Sequence, residues 1–123
     1  MGSTTRRLLI VDDEQTVCQC LEQFFGKRGF QITSAFSGEE ALTKLQQGPV
    51  DIVLLDILLP GIHGIEVLKR AKQLYPAAKV VVMTALDHQP LQEEARRHGA
   101  DAFVMKPFDL SDSTWSVVLA DPA

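Results

Sequence analysis

The amino-acid sequence predicts an α/β fold in which a doubly wound, five-stranded parallel sheet carries helices on both faces. Three observations lead there. Short apolar runs, Leu8-Leu9-Ile10-Val11, Ile52-Val53-Leu54-Leu55, Val80-Val81-Val82-Met83 and Ala102-Phe103-Val104-Met105, lack apolar/polar alternation, the pattern of strands buried on both faces. Between the runs the apolar period becomes helical, and strands alternating with helices through short loops imply parallel pairing and right-handed crossovers. Each run also stops at a residue able to handle phosphate or a cation: Asp12-Asp13, Asp56, Thr84 and Lys106-Pro107. In an open α/β sheet such residues share one edge, outside the carboxyl ends of the strands.

Each element has its own signal in the chain. Residues 1–5 form a polar, flexible leader, and Arg7 to Val11 make the first strand. Val17, Leu21, Phe24 and Phe25 recur at helical spacing between Glu14 and Arg28, and Gly29 offers a left-handed stop. Phe30 to Ala35 form the second strand. Ser37 followed three residues later by Glu40 is a capping box, with Ala41, Leu42 and Leu45 as the buried stripe and Gly48-Pro49 as terminator. The third strand, Asp51 to Leu55, leads through Pro60, Gly61 and Gly64 into a helix whose stripe is Ile65, Leu68, Ala71 and Leu74, ending by Pro76. Lys79 to Met83 form the fourth strand, and a fourth helix opens at Pro90 and closes at Gly99. The last helix, Leu110 to Leu119, is rich in serine and threonine, which have modest helix propensity.

For five strands this alternation fits the flavodoxin-like order 2-1-3-4-5. That order reverses between strands 1 and 3, so Asp12-Asp13 and Asp56 fall at the switch-point crevice.

Bulk properties bound the function. The 123 residues suit one domain able to bury a core without disulfides or a structural metal. With 46% hydrophobic and 23% charged residues the composition is that of an ordinary globular protein. No membrane span or signal peptide is apparent, which predicts a cytoplasmic protein. A formal net charge of −4 argues against nucleic-acid binding by this domain alone. Cys18 and Cys20, two apart on a helix, point to different faces and read as reduced packing thiols rather than a bridge or a zinc pair. His63, His88 and His98 lack metal-ligand spacing and read as loop or surface residues. Glu93, Glu94, Arg96 and Arg97 read as the solvated face of the fourth helix.

The shared edge carries the chemistry. Ionised carboxylates in close company repel by about 4 kcal/mol per pair at 4 Å with an effective dielectric of about 20, so a cation must sit among them. Mg²⁺ suits such oxygen ligands and keeps several waters, Lys106 adds a second positive charge, and Thr84 can donate to a phosphoryl oxygen. An aspartate flanked by a divalent ion and a lysine is a plausible phosphoryl acceptor, because that transfer needs an in-line oxygen and charge neutralisation more than covalent help. Asp56, on the central strand, is the best-placed acceptor, and Asp12-Asp13 are better placed to hold the ion. Each residue alone has an ordinary explanation. A lone Asp after a strand is usually a cap or turn residue, Asp13 can cap the first helix as well, and a lysine before proline is usually solvated.

The set Asp12-Asp13, Asp56, Thr84-Ala85 and Lys106-Pro107-Phe108, in this order and spacing, closely resembles the receiver domain of two-component response regulators, including the chemotaxis regulators. Leu59-Pro60-Gly61 with Gly64, Ser37-Gly38-Glu39-Glu40-Ala41-Leu42 and Gly99-Ala100-Asp101-Ala102 add to it, and it spans nearly the whole chain. The resemblance implies that Asp56 accepts the phosphoryl group from a histidine kinase or phosphotransfer protein. It implies Mg²⁺ held by Asp13, Asp56 and the backbone carbonyl of Leu58, with Asp12 acting through water. Thr84 and the backbone amide of Ala85 would contact the phosphoryl group, and Lys106 would pair with it ahead of a cis bond to Pro107. Phe103 would be the switch aromatic, reshaping a face of helix 4, strand 5 and helix 5 that also serves for a homodimer, where Trp115 is expected to contribute.

Two positions depart from the family's habit. Leu58 and Leu86 are apolar where polar residues are common, which predicts slow spontaneous loss of the phosphoryl group. The implied activity is self-phosphorylation and self-dephosphorylation only, without enzymatic turnover. Rival readings are a Mg²⁺-dependent aspartyl-phosphate phosphatase, which needs an acid or base beside the nucleophile, and a phosphorylation-independent interaction module.

Overall fold

The computed structural model describes residues 5–59, 62–85 and 89–120. The expectations for residues 1–4, Pro60, Gly61, Leu86 and His88 lie outside these. Five strands, β1 (Arg7–Val11), β2 (Gln31–Ala35), β3 (Ile52–Asp56), β4 (Lys79–Ala85) and β5 (Ala102–Lys106), alternate with helices α1 (Gln15–Gly26), α2 (Gly38–Gln47), α3 (Gly64–Leu74), α4 (Gln89–Arg97) and α5 (Ser116–Leu119). All strand pairs are parallel, and the order is β2-β1-β3-β4-β5, as the sequence predicts. No helix among the described residues is long and apolar enough to cross a membrane.

The continuous apolar runs of β1, β3 and β4 are explained by two core layers, one on each face of the sheet. The run Ala102-Phe103-Val104-Met105, expected to be buried on both faces, instead forms an edge strand in which only Val104 is buried and Met105 is exposed. Leu9, Val11, Val53, Leu55, Val80 and Val82 join Leu45, Ile65, Leu68 and Ala95 on one side. Leu8, Ile10, Ile52, Leu54, Val81 and Met83 join Leu21, Phe25, Trp115 and Val118 on the other. Successive side chains of a strand point to opposite faces, so a strand covered on both sides needs apolar residues at every position. Cys18 is buried in the second layer and Cys20 is exposed, both free; burial pushes the Cys18 thiol up to about 12, which keeps it unreactive.

Most boundaries agree with the sequence to within a residue or two, and four differences have physical causes. β3 ends on Asp56 rather than Leu55, and β4 runs on through Thr84 and Ala85. The ladder continues because Asp56 pairs with Met83, Thr84 with Met105 and Ala85 with Lys106, which fixes these strand ends in the sheet. Leu74, expected on the buried stripe of α3, is 40% exposed, because it is the last residue of the helix. In the capping box, Ser37 accepts from the Glu40 N–H at 3.1 Å, but the Glu40 carboxylate reaches back one residue further, to the Phe36 N–H at 2.8 Å.

The last helix is the largest difference. Only Ser116–Leu119 is helical, against the expected Leu110 to Leu119. Serine and threonine side chains take over the preceding turn: the Ser111 hydroxyl accepts from the Thr114 N–H at 3.2 Å, and the Thr114 hydroxyl donates to the Asp109 carboxylate. Such local bonds compete with helix formation. The short helix is anchored from the opposite end of the sheet, where the Arg6 guanidinium donates to the carbonyls of Val118, Leu119 and Ala120 and Lys79 donates to Val117.

Two glycines set the position of the loop after β3. A Cβ at Gly64 would lie 2.5 Å from the Ile57 carbonyl oxygen, and one at Gly38 would lie 2.4 Å from that of Ile62. Both obstacles are backbone, so neither can yield by changing a rotamer. Gly64→Ala is expected to cost about 1–3 kcal/mol, the usual range for overpacking, read as a lower urea midpoint with an unchanged m-value.

Candidate functional site

Four strand ends converge on one acidic crevice. Asp12 follows β1, and its N–H extends the ladder to the Ala35 carbonyl at 3.1 Å. Its side chain is fully buried, with Oδ1 accepting from the Glu14 N–H at 2.9 Å. This two-residue turn launches α1. Asp13 was expected to double as the helix cap. Instead Glu14 occupies the cap position with no side-chain hydrogen bond, and Asp12 supplies the local bond, which leaves Asp13 exposed toward the crevice.

Asp56 is the last residue of β3 and only 8% exposed. Oδ1 accepts from the Leu58 N–H at 3.0 Å, and Oδ2 accepts from Lys106 Nζ at 3.2 Å. Lys106, at the end of β5, also donates to Asp12 Oδ2 at 2.7 Å and reaches Glu14 Oε1 at 3.5 Å. One carboxylate oxygen from each of Asp12, Asp13 and Asp56 lies within 4.8 Å of the others. These are hard oxygen donors close enough to share one small divalent cation, so the donor set fits Mg²⁺. Thr84 is buried at the end of β4, one strand from Asp56, and the Lys106-Pro107 peptide bond is cis.

The charges are unequal in consequence. Burial pushes the Asp56 carboxyl above the usual aspartate range and the Asp12 charge pushes the same way, while the Leu58 N–H and Lys106 pull it down without restoring it. For Lys106, burial alone would lower the ammonium; the hydrogen bond to Asp12 and the charges of Asp56 and Asp12 outweigh it and hold the proton more tightly than in an ordinary lysine. One ammonium thus serves two buried acids, and the site has spare negative charge.

The structure brings Asp12, Asp13, Asp56, Thr84 and Lys106 together with the backbones of Leu58 and Ala85. Leu58, whose N–H bonds Asp56, has a side chain 48% exposed. Phe103 lies apart, half-buried against the core on the α4 side, with the Arg96 guanidinium 5.0 Å from its ring centroid. Arg96 is therefore a lid on that ring as well as part of a solvated face. Trp115, expected on a dimer face, is fully buried and cannot contribute to one. Sequence reading passed over Glu14, whose only signal was that it extends the acidic run. Of the histidines, His63 caps α3, Nδ1 accepting from the Ile65 N–H at 3.1 Å.

Comparison with known proteins agrees with this geometry. Residues 8–116 match the family model described as the response regulator receiver domain. The chain is 37% identical over 106 residues to sporulation initiation phosphotransferase F of Bacillus subtilis, covering 86% of each protein. It is 36% identical over 107 residues to chemotaxis protein CheY of Thermotoga maritima, covering 86% of this chain and 89% of that one. It also matches 43% of the alkaline phosphatase synthesis transcriptional regulatory protein PhoP of Bacillus subtilis at 33% identity, across 84% of this chain. The solved CheY-like response regulator receiver domain protein of Methanospirillum hungatei superposes with a TM-score of 0.87 at 29% identity, covering 94% of this chain and 92% of that one.

The raised Asp56 pKa has a sign that can be measured. The folded chain keeps the Asp56 proton to higher pH than the unfolded chain, so this group's contribution is most favourable below the ordinary aspartate range and is lost as pH rises through the folded value. At pH 7 in chelator, Asp56→Asn, which keeps an acceptor for the Leu58 N–H, is expected to melt a few degrees above wild type. The gap should close on acidification and reverse when millimolar Mg²⁺ is added, as calorimetry would record.

Proposed function

The chain belongs to the response regulator receiver domain family, and on that premise we propose that it is a phosphoacceptor signalling domain charged on Asp56 by a histidine kinase or phosphotransfer protein. The observation that carries this reading is the meeting of a buried Asp56 with two further acids and one lysine at a single sheet edge. A carboxylate oxygen of Asp56 attacks the phosphorus of a phosphohistidine. As that P–O bond forms, the P–N bond breaks and its electron pair returns to the imidazole nitrogen.

The protein's own residues supply position and charge. The Leu58 N–H fixes one oxygen of Asp56, so the carboxylate is held in a defined orientation before transfer. Lys106 can exchange its contact with Asp56 for one with the incoming phosphoryl oxygens, keeping its 2.7 Å bond to Asp12 as an anchor. Thr84 and the Ala85 N–H, at the end of β4, would take the other oxygens. Asp13, Asp56 and the Leu58 carbonyl would hold Mg²⁺, with Asp12 through water. When bound, the ion neutralises charge that builds up on the transferring group.

The same geometry bears on the fate of the acyl phosphate. A phosphatase with an aspartyl-phosphate intermediate needs an acid or base positioned to release the product, and residue 58, two after Asp56, is a leucine rather than a carboxylate. Chemistry is thus limited to gaining and losing one phosphoryl group, and the output is a changed surface. Phe103 under Arg96 is the aromatic we assign to that change, on the face of α4, β5 and α5. Met105 of β5, 36% exposed, is an apolar residue available there for a homodimer or other partner. At net charge −4 the domain alone is not expected to bind nucleic acid.

Intact mass after incubation with acetyl phosphate or phosphoramidate tests the assignment. A Mg²⁺-dependent gain of one phosphoryl group, absent in Asp56→Asn, is expected. No adduct, under conditions that modify a control receiver, would favour the phosphorylation-independent interaction module. Leu58 and Leu86 are expected to keep water from the acyl phosphate, so the double substitution Leu58→Asn, Leu86→Glu should shorten the adduct's half-life several-fold. An equal or longer half-life would remove the shielding role.

A further inference from the structure

Two chain segments leave the acidic edge and meet again at one buried side chain. The first is α1, which begins just after Asp12, Asp13 and Glu14 and whose Phe25 ring lies 5.5 Å from Trp115, edge to face. The second is the stretch after Lys106: Phe108, two residues on, stacks edge to face on the same indole with centroids 5.0 Å apart. Trp115 is fully buried, its Nε1–H donates to the Asp109 carbonyl at 3.0 Å, and its own carbonyl accepts from the N–H groups of Val118 at 2.9 Å and Leu119 at 3.0 Å. The residue that ends both routes is thus the one on which the single turn of α5 is built.

We infer that the Phe108–Trp115 contact couples the state of the acidic edge to the packing of α5, by a route separate from Phe103. The inference rests on the proposal that Asp56 is the phosphoacceptor. Nζ of Lys106 is held by Asp12 Oδ2 and Asp56 Oδ2. When Asp56 takes a phosphoryl group, that second partner is replaced by phosphoryl oxygens lying beyond the carboxylate, and Lys106 is drawn toward them about its Asp12 anchor. With its φ fixed, Pro107 leaves fewer free rotations between Lys106 and Phe108, so the part of that pull that reaches the Lys106 main chain is carried on to Phe108. Close-packed aromatic faces transmit such shifts rather than absorb them, because a gap of even half an ångström forfeits much of the contact energy. Trp115 has no solvent-exposed side into which to relax. α5 is only one turn long, so a shift of Trp115 acts on hydrogen bonds that make up a large part of the helix.

The sequence contains a single tryptophan, so intrinsic emission reports on Trp115 directly. The full chain would be phosphorylated with phosphoramidate and Mg²⁺, and the same samples followed by intact mass, tryptophan emission and hydrogen exchange at the amides of Val118, Leu119 and Ala120. The expected result is an emission change that tracks the adduct, with altered exchange at those three amides. Phe108→Leu, which keeps an apolar side chain, should still form the adduct but lose most of the emission change. Adduct formation in wild type with emission and exchange both unchanged would overturn the coupling while leaving the acceptor role intact. An undiminished emission change in Phe108→Leu would overturn the route through Phe108. Absence of any adduct would overturn the acceptor role of Asp56, and this inference with it. The exchange measurement needs no variant, so the coupling stays testable even if Phe108→Leu does not fold.

Discussion

Asp12 and Asp56 end adjacent strands with their carboxylates turned into one crevice, and the Lys106 ammonium from the far strand holds both, at 2.7 and 3.2 Å. Without it, two buried negative charges would face each other across a water-poor gap, a cost of several kcal/mol. The bond also ties β5, at one edge of the sheet, to the central strands β1 and β3. Because Asp13 and Glu14 lie beside the pair, the lysine compensates the site without neutralising it. An edge so arranged is stable enough to fold and still favours a further cation, which is the condition a Mg²⁺-dependent acceptor needs.

The sheet makes this precision possible. Thr84, Ala85 and Lys106 belong to ladders rather than loops, so their relative positions are set by backbone hydrogen bonds and by apolar layers on both faces. Asp56 is likewise in register with Met83. The loop after it is held where it is by what Gly64 and Gly38 lack, since a side-chain carbon at either would collide with backbone. Rigid placement of Asp56 and the close backbone approach in the loop after it are two parts of the same geometry.

The C-terminal end shows a different economy of structure. A helix of one turn makes few internal hydrogen bonds and would not persist alone. It persists because Trp115 inserts into the core against Phe25 and Phe108, and because Arg6 and Lys79 satisfy its last carbonyls from the other end of the sheet. The element farthest along the chain is therefore held by residues from its beginning and middle.

Much of this was readable in the sequence. Strands β1, β3 and β4 were visible because burial on both faces leaves an unbroken apolar run, whereas β2 and β5 lie at the sheet edges and are only partly buried. The site residues were visible because each is covalently next to an apolar run. Parallel pairing then places all of those ends on one edge, so Asp12, Asp13, Asp56, Thr84 and Lys106 could be named together before their distances were known. What tertiary structure alone decided involves partners distant in the chain. The Arg96 guanidinium over Phe103, the Lys72 ammonium bridging the Ala78 carbonyl and Asp101, the burial of Trp115 and the shortening of α5 leave no periodic trace. Local pattern reports which residues want to leave water and where the backbone can turn. Which side chain fills a given space depends on segments that only folding brings into contact.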